Sequence, residues 1–372
     1  MKSSKVFGHS CGCYSYEEVY SAIETNFKRL GGLDSIVKKG EKVLIKPNIV
    51  APISKQKAAN THPIVVEVLV DMLNEIDAIP VVGESSGFIE IGDTSKNMAI
   101  AGYTSKKLTK YLVPFEKDGF VDVSVKGAKH LKKIHCARLI KNVDKIIFVP
   151  KLKSHMITKY TGAIKNCYGC VGLSTRREGH THSDYKILSE CINDIYSYIK
   201  PDLFVMDAVV SMEGNGPTMG TPVNTNMIFI SKDGVALDKI CSNMIGINNL
   251  HIIKDAVGRG LGGENIEYVG DELSHFDFKK PNLLSKIFYF KLPFIHKMIY
   301  KHTKISPHIA GEISSELMKI CPYKAITPKG INRKICKLCF RCYHHPHKVT
   351  KKKSLFARFA IKATKKSRDR DR

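Results

Sequence analysis

The chain has 372 residues, of which 43% are hydrophobic and 25% are charged, as is ordinary for a soluble globular protein. It contains no uninterrupted run of roughly 18 apolar residues and no signal-peptide core, so we expect a cytoplasmic protein without a membrane span. Eleven cysteines in that compartment indicate metal ligation or redox chemistry rather than a disulfide framework.

Short apolar runs alternate with helical patterns along the first 276 residues. Because each run is nearly all apolar, we expect strands that are buried on both faces. The predicted strands span 43–47, 79–82, 145–149, 203–206 and 227–230. One predicted helix begins at Pro63, and two others span 184–199 and 235–244. This order predicts an α/β fold, with a parallel or mixed sheet that helices cover on both faces.

Polar side chains follow several of these strands, where the ligands of open α/β sheets bind. Six such residues are predicted to meet in one crevice: Lys46, Asn48, Lys151, Lys153, His155 and Asp207. Together with the glycine-bearing turns at 83–87 and 213–220, they favour an anionic small molecule, because ammonium and backbone N–H groups attract negative charge. In the alternative, Lys46 and Lys151 merely end strands in solvent and the glycines only form turns.

Further candidates lie at His155 and in the segment 159–170. We predict that His155 or Lys165 is catalytic and supplies a proton to the ligand, since the pKa values of both side-chain types are readily tuned. Cys167 and Cys170 form a C-x-x-C pair, which is either a redox dithiol, half of a metal site or a pair of buried structural cysteines.

The remaining histidine and cysteine patterns are weaker. His180 and His182 could reach one metal ion together, but an H-x-H pair in a polar loop more often lies in solvent. We assign no role to Cys11 and Cys13. Three further cysteines fall in helical or apolar contexts and are predicted to lie in the core: Cys136, Cys191 and Cys241.

The C-terminal cysteines form the strongest pattern in the chain. Bacterial two-cluster ferredoxins repeat C-x2-C-x2-C-x3-C-P, and the last cysteine of each run binds the cluster of the other run. Here one complete ligand set remains, and it predicts one [4Fe–4S] cluster: Cys321, Cys336, Cys339 and Cys342. The ligand positions of the second cluster hold other residues: Gly311, Ser314, Leu317 and Pro346.

Zinc is the alternative occupant of this cysteine set. Three nearby histidines could substitute as zinc ligands: His344, His345 and His347. Zinc sites usually pair two C-x2-C units, whereas this run of three cysteines is typical of an iron–sulfur cube, so we favour the cluster.

Seven motifs together resemble the domain-of-unknown-function 362 family. They are K-P-N at 46–48, T-H-P at 61–63, G-E-S-S-G-F at 83–88, P-K-L-K-S-H at 150–155, T-G-A-I-K-N-C-Y-G at 161–169, D-x-x-x-S-M-E-G-N-G-P at 207–217 and D-G-V-A-L-D at 233–238. The resemblance covers about residues 40–275 and 307–347. It implies an α/β body with a C-terminal ferredoxin-type module, half of whose usual ligands are missing here, and therefore no relay between two clusters.

The formal charge of +24 is spread unevenly. Residues 277–372 carry a net charge of +20, and the first 276 residues carry only +4. The stretches 281–300 and 351–372 mix apolar and basic residues, which is typical of segments that bind an anionic membrane surface. An acidic electron carrier would use the same charge, and nucleic acid is not expected because no recognition motif appears. The alternative is a solvated linker and a disordered tail.

We therefore predict four segments: an α/β domain (1–276), a basic amphipathic linker (277–306), a single-cluster ferredoxin-like module (307–350) and a basic tail (351–372). The predicted function is an iron–sulfur oxidoreductase that transfers electrons to or from an anionic small molecule, with a ferredoxin or flavodoxin as electron donor. The alternative is a non-catalytic electron-transfer or scaffold protein that docks on a membrane or a redox complex. The expected location is the cytoplasm, with the inner membrane face as a docking surface.

Overall fold

The computed structural model describes residues 3–87, 93–180, 182, 184–281, 305–309, 311–339, 342 and 349–353. Across these residues, no helix combines the length and the apolar character that crossing a bilayer requires. Most of the predicted linker, most of the basic tail and the three alternative zinc-binding histidines lie outside the described residues.

A ten-stranded mixed sheet forms the centre of the body. Its strands are β1 (Ser4–Ser10), β2 (Lys42–Pro47), β3 (Ile79–Glu84), β4 (Leu112–Pro114), β7 (Lys145–Val149), β8 (Lys151–His155), β9 (Lys159–Thr161), β10 (Leu203–Asn215), β11 (Met219–Ser231) and β12 (Ile266–Gly270). A separate hairpin pairs β5 (Phe120–Ser124) with β6 (Lys133–Ala137).

The strand order is β12-β1-β11-β10-β7-β2-β3-β4, and β8 and β9 extend from β10. Strands β10, β7, β2, β3 and β4 run parallel, whereas β11 pairs antiparallel with both β1 and β10. The α/β class and the mixed sheet predicted from the sequence are thus confirmed.

Helices pack on both faces of the sheet. They are α1 (Tyr16–Leu30), α2 (Pro63–Glu75), α3 (Thr94–Ile100), α4 (Lys106–Thr109), α5 (Phe115–Asp118), α6 (Ala163–Asn166), α7 (Leu173–His180), α8 (Tyr185–Ile199), α9 (Gly234–Met244), α10 (His251–Gly258) and α11 (Ser315–Ile320). Single 3-10 turns span Leu33–Ser35, Lys55–Lys57, Arg138–Lys141 and Cys167–Cys170.

Two hydrophobic cores lie on opposite sides of the sheet because successive strand residues point to opposite faces. In β2, Val43 and Ile45 join the core with α1 and α2, whereas Leu44 joins the core with α8, α9 and α10. The first core contains Ile23 of α1 and Leu69 of α2, both fully buried. Burial of both faces explains why the strand sequences are almost continuously apolar.

The structure extends several predicted elements. The predicted strands at 203–206 and 227–230 are parts of the long hairpin of β10 and β11, so the predicted loop at 213–220 is the tip of a ladder. Residues 151–155, expected as a loop, form β8 because its backbone pairs with β10 and β9. The first strand, β1, was missed, since Gly8 and polar residues interrupt its apolar pattern.

The C-terminal part contains small paired elements. Strand β13 (Ile305–Ile309) pairs with β16 (Val349–Lys353), and β14 (Ile326–Thr327) pairs with β15 (Gly330–Ile331). A small core joins them through four buried residues: Leu317, Ile326, Cys342 and Val349. We call the described residues between 305 and 353 the cysteine module.

Candidate functional site

Lys46 forms a buried ion pair at the ends of two parallel strands. Its Nζ lies 2.8 Å from Oε2 of Glu84, and both side chains are almost fully buried. Nζ also donates to Oδ1 of Asn166 at 3.0 Å and to the carbonyl of Pro47 at 2.9 Å. The pair forms because β2 and β3 are adjacent and end together. These contacts use all three ammonium hydrogens of Lys46.

A second buried ion pair joins Lys151 and Asp207, whose nitrogen and oxygen lie 2.9 Å apart. The other oxygen of Asp207 accepts a hydrogen bond from the Tyr14 hydroxyl at 2.7 Å, and its Oδ2 accepts the backbone N–H of His62 at 2.8 Å. The Tyr14 ring stacks on the His62 ring with centroids 3.8 Å apart. This network links Tyr14, which follows β1, to Lys151 on β8 and Asp207 on β10.

These two pairs bear on the predicted site. The alternative that Lys46 and Lys151 end strands in solvent is wrong, because both side chains are buried. The predicted contacts of Lys46, Lys151 and Asp207 with a ligand stay a prediction, and each of these charges already has a partner within the protein. Breaking such a pair leaves an uncompensated buried charge, so both pairs belong to the framework of the crevice.

Lys153 is fully buried without a carboxylate partner among the described residues. Its Nζ donates to Oδ1 of Asn48 at 2.6 Å and to the carbonyl of Ala59 at 2.5 Å. Burial, followed by the nearby charge of Lys165, holds the pKa of Lys153 well below its usual range. The predicted proximity of Asn48 and Lys153 is therefore present.

Lys165 lies on the one-turn helix α6, which Asp238 holds in place. The Asp238 carboxylate accepts the backbone N–H groups of Ala163 and Ile164 at 2.6 and 2.9 Å, and the Tyr160 hydroxyl at 3.0 Å. The side chain of Lys165 is partly buried, and burial lowers its pKa to about 8. Within the described residues its Nζ has no hydrogen-bond or ion-pair partner.

His155 is buried close to both amines. Its Nδ1 accepts the backbone N–H groups of Ile157 and Thr158 at 3.0 and 3.3 Å, which leaves the proton of the neutral ring on Nε2. Burial, then the charges of Lys165, His180 and Lys153, keeps the pKa of His155 well below its usual range. The ring is therefore neutral at neutral pH, and its Nε2–H group is a hydrogen-bond donor.

The lysines of the crevice thus fall into two classes. Lys46 and Lys151 are neutralised by their own carboxylates, whereas Lys153 and Lys165 form no ion pair with any carboxylate in the described part of the chain. An anion that approached the second pair would favour the protonated form of both amines. The structure places Lys153, His155 and Lys165 close enough for their charges to influence one another.

Cys167 and Cys170 lie in the core beside Cys136. All three are fully buried, and Cys136 is bridged to Val171 of the neighbouring strand segment. Burial raises the pKa of all three thiols, that of Cys136 to about 12. A thiol is reactive as the thiolate, so this environment fits the structural alternative for the C-x-x-C pair.

The two histidines of the H-x-H pair point to different neighbours. The ring of His180 packs edge-on against Tyr168, and the ring of His182 lies 5.9 Å from that of His130. Within the part of the chain that the structure describes, no three His, Cys, Asp or Glu side chains are placed to hold a metal ion.

The four C-terminal cysteines line one small cavity. Cys321, Cys336, Cys339 and Cys342 surround it together with apolar side chains, among them Ala325, Ile326 and Ile331. The backbone N–H of Ala325 donates to Sγ of Cys321 at 3.3 Å. Burial and the other three sulfurs raise the pKa of Cys342 to about 12. The four thiols line one cavity but, among the described residues, are not placed as a metal-binding group, so the [4Fe–4S] cluster stays a prediction.

Two contacts join this cavity to the α/β body. Tyr323, which also lines the cavity, places its hydroxyl 2.5 Å from Nδ1 of His135. Cys339 packs against the core that contains α8 and α9. His135 is 2% exposed and precedes Cys136 on β6. The cysteine cavity therefore faces the body.

The segment 163–170, which we call the shared wall, lies between the two regions. On one side, Asn166 contacts Lys46, and a Cβ added at Gly169 would lie 2.1 Å from Oε1 of Glu84. On the other side, Cys167 and Cys170 neighbour Cys136. Glycine at position 169 is thus required by close packing against the first ion pair.

Sequence reasoning missed several residues of this site. Glu84 and Asp238 were quoted only within motifs, although each satisfies several donors. Tyr14 was not considered, because its partners come from distant strands. The available signal was the position of Glu84, which ends a strand beside the one that carries Lys46.

The body that carries these residues is similar to known proteins. Residues 43–243 match the family described as "Domain of unknown function (DUF362)". The chain belongs to this family. The resemblance predicted from the seven motifs is thereby confirmed for the body. The match ends before Cys321, so the C-terminal module remains a prediction.

A thylakoid-associated protein from Synechocystis sp. is 28% identical over 301 residues, which cover 77% of this chain and 91% of that protein. A Thermotoga maritima protein of known crystal structure has 16% identity and a TM-score of 0.38 over 61% of this chain. The lactate racemase apoprotein from Thermoanaerobacterium thermosaccharolyticum has 13% identity and a TM-score of 0.43 over 66%. This chain spans 58% of each of those two solved structures, and such scores support no argument about activity.

Proposed function

We propose that the protein is an iron–sulfur oxidoreductase that exchanges electrons with an anionic small molecule in the crevice of the α/β body. The observation that carries the proposal is the convergence of four cysteines on one cavity that faces this body. The family match leaves the reaction open, so the argument rests on the chemistry of the side chains.

The proposed cofactor is one [4Fe–4S] cluster held by Cys321, Cys336, Cys339 and Cys342. When bound, such a cluster supplies or accepts single electrons. The N–H of Ala325 would donate to the Cys321 sulfur, and hydrogen bonds to cluster sulfurs are among the features that set the reduction potential.

The proposed ligand site consists of Lys153, His155 and Lys165. Lys153 would contact the negative group of the ligand, because protonation leaves it one hydrogen after its bonds to Asn48 and Ala59. Lys165, with a pKa of about 8, would be charged in most molecules at neutral pH and could give up that proton. His155 would donate a hydrogen bond from Nε2 to the ligand and so fix the orientation of the ligand.

The proposed electron donor is an acidic carrier such as a ferredoxin or flavodoxin. Between residues 305 and 353 the chain has eleven Lys and Arg against two Glu. An open groove on the cysteine module is lined by apolar residues, among them Ile309, Ile313 and Ile331, and by charged residues: Glu312, Lys329 and Arg333. Ile331 also lines the cysteine cavity, so a carrier docked here would approach the cluster.

A second candidate function is docking on an anionic membrane without catalysis. The name of the Synechocystis relative, which describes thylakoid association, favours it. The positive net charge of the C-terminal quarter would attract the protein to anionic lipid, and each basic residue near the lipid surface would contribute roughly 1 kcal/mol. Sedimentation with anionic and with neutral liposomes tests it, and equal binding to both would remove this candidate.

The cluster is tested by anaerobic purification with iron and sulfide analysis. We expect about four irons and four sulfides per chain. Cys336→Ala should lose both, whereas the matched control Cys241→Ala, which changes a buried core thiol, should keep them. Zinc without sulfide in the wild-type protein would refute the cluster.

The crevice is tested separately with the reduced protein. Lys153→Gln and His155→Gln should keep the iron content and lose any reoxidation that depends on a small anion. Lys239→Gln, at an exposed position of α9, is the control that should retain it. Reoxidation that survives in both crevice variants would show that the ligand binds elsewhere.

A further inference from the structure

The backbone around Lys165 is held in place, and its amine has no hydrogen-bond or ion-pair partner among the described residues. Asp238 holds the N-terminal end of α6, and the close packing of Gly169 against Glu84 holds the turn that follows it. Within the described residues Nζ makes no hydrogen bond or ion pair, and the side chain is partly exposed. A lysine placed in this way reaches a bound molecule without first breaking a contact.

Burial favours the uncharged amine of Lys165. Lys153 and His155 are close enough for their pKa values to respond to Lys165, and within the described residues Lys165 has no carboxylate partner. With a pKa of about 8, roughly a tenth of these amines would be unprotonated at pH 7, far more than for a lysine in water. Uncharged amines are the nucleophiles that attack carbonyl carbons.

We propose that Lys165 forms an imine with the carbonyl carbon of a small carbonyl acid, whose carboxylate Lys153 binds. The neutral Nζ forms a bond to the carbonyl carbon as the carbon–oxygen double bond opens to a carbinolamine. The two hydrogens of Nζ then leave with the oxygen as one molecule of water, and the carbon–nitrogen double bond of the imine forms. No electron is transferred in this step. The inference rests on the anionic crevice proposed above and is independent of the cluster.

Glyoxylate, the smallest carbonyl acid of this class, is the probe, and acetaldehyde is its neutral counterpart. The full-length protein is incubated with either aldehyde and with cyanoborohydride, which reduces an imine to a stable secondary amine that peptide mass spectrometry locates. We expect glyoxylate to label Lys165 about tenfold faster than the exposed Lys239, because more of the Lys165 amine is unprotonated. Equal labelling of the two lysines overturns the proposal.

Two variants test the role assigned to Lys153. In Lys153→Gln the ratio of glyoxylate to acetaldehyde labelling at Lys165 should fall to the ratio measured at Lys239. The ratio cancels any change in the pKa of Lys165, since both aldehydes need the same neutral amine. In Lys239→Gln the ratio at Lys165 should be unchanged. An unchanged ratio in Lys153→Gln refutes the assigned carboxylate contact.

Oxalate separates this proposal from the one on which it rests. Oxalate is a small dianion that does not form an imine under these conditions, so it reports the anionic crevice alone. It should slow the labelling of Lys165 by acetaldehyde without slowing that of Lys239. Protection by oxalate without glyoxylate labelling would overturn the imine and keep the crevice, whereas no protection would overturn both.

Discussion

The hydroxyl oxygen of Tyr323 lies 2.5 Å from Nδ1 of His135, across the junction between the cysteine module and the α/β body. His135 also contacts Asp122 at 3.0 Å, and its ring packs against Gly172 so closely that an added Cβ there would lie 2.5 Å from it. The junction therefore depends on one specific polar contact within a tightly packed surface.

Removal of the Tyr323 hydroxyl should weaken this junction. We expect Tyr323→Phe to lower the free energy of unfolding by about 1 kcal/mol, because a partly buried hydrogen bond is lost while the ring remains. Urea unfolding of the wild-type protein and of the variant measures this loss of stability. Tyr20→Phe is the matched control, since its hydroxyl pairs with Glu75 at an exposed position and should contribute little. Equal losses in the two variants would contradict the assignment.

Acid should destabilise the protein through His135. Burial lowers its pKa to about 4, against about 6.5 in the unfolded chain, so between these values the unfolded state binds more protons. Stability should therefore fall as the pH falls from 6.5 to 4, by on the order of 3 kcal/mol from this group. His135→Gln should flatten the pH profile of urea unfolding, and an unchanged slope would be inconsistent with a neutral buried ring.

The buried pair of Lys46 and Glu84 should show strong coupling. Glu84→Gln leaves the Lys46 ammonium without a counter-charge and should cost about 3–5 kcal/mol. Lys46→Met combined with Glu84→Gln removes the unmatched charge, so the double variant should be more stable than Glu84→Gln alone. Urea unfolding of the two single variants and the double variant measures the coupling, and additive losses would argue against the pair.

Lys165 should reduce stability at neutral pH. Its folded-state pKa of about 8 lies below the unfolded value of 10.5, so the full cost is present below pH 8 and disappears as the pH rises to 10.5. We expect Lys165→Met to raise the free energy of unfolding at pH 7 by about 1 kcal/mol, after allowance for partial exposure. The gain should vanish near pH 10.5, and Lys239→Met should show no such change.

Much of the fold could be predicted from the sequence because strands that are buried on both faces appear as short, almost continuous apolar runs. The strand at 145–149 was predicted with the bounds observed for β7. Strand β8 could not be predicted, since Lys151, Lys153 and His155 are typical of a polar loop. The two lysines are buried against partners that are distant in the sequence: Asp207 of β10, Tyr14, Asn48 and the carbonyl of Ala59.

The site was predicted as a group of residues but not by role. The sequence shows where lysines follow strands, yet it does not show which of them has a carboxylate partner. Glu84 neutralises Lys46 only because β2 and β3 are adjacent in the sheet, and Asp207 neutralises Lys151 through the pairing of β10 with β8. The distinction between paired and unpaired lysines is thus a property of strand order.

The shared wall also constrains how this protein can vary over time. A change at Gly169 that improved the fit of a ligand would displace Glu84, and a shift of the same eight residues would press on Cys136 and reach the His135 junction. A mutation that changes the crevice is therefore tolerated only if it does not disturb the packing of the cysteine module, and the reverse also holds. We thus expect a substitution that alters the crevice to need a compensating change in the cysteine module.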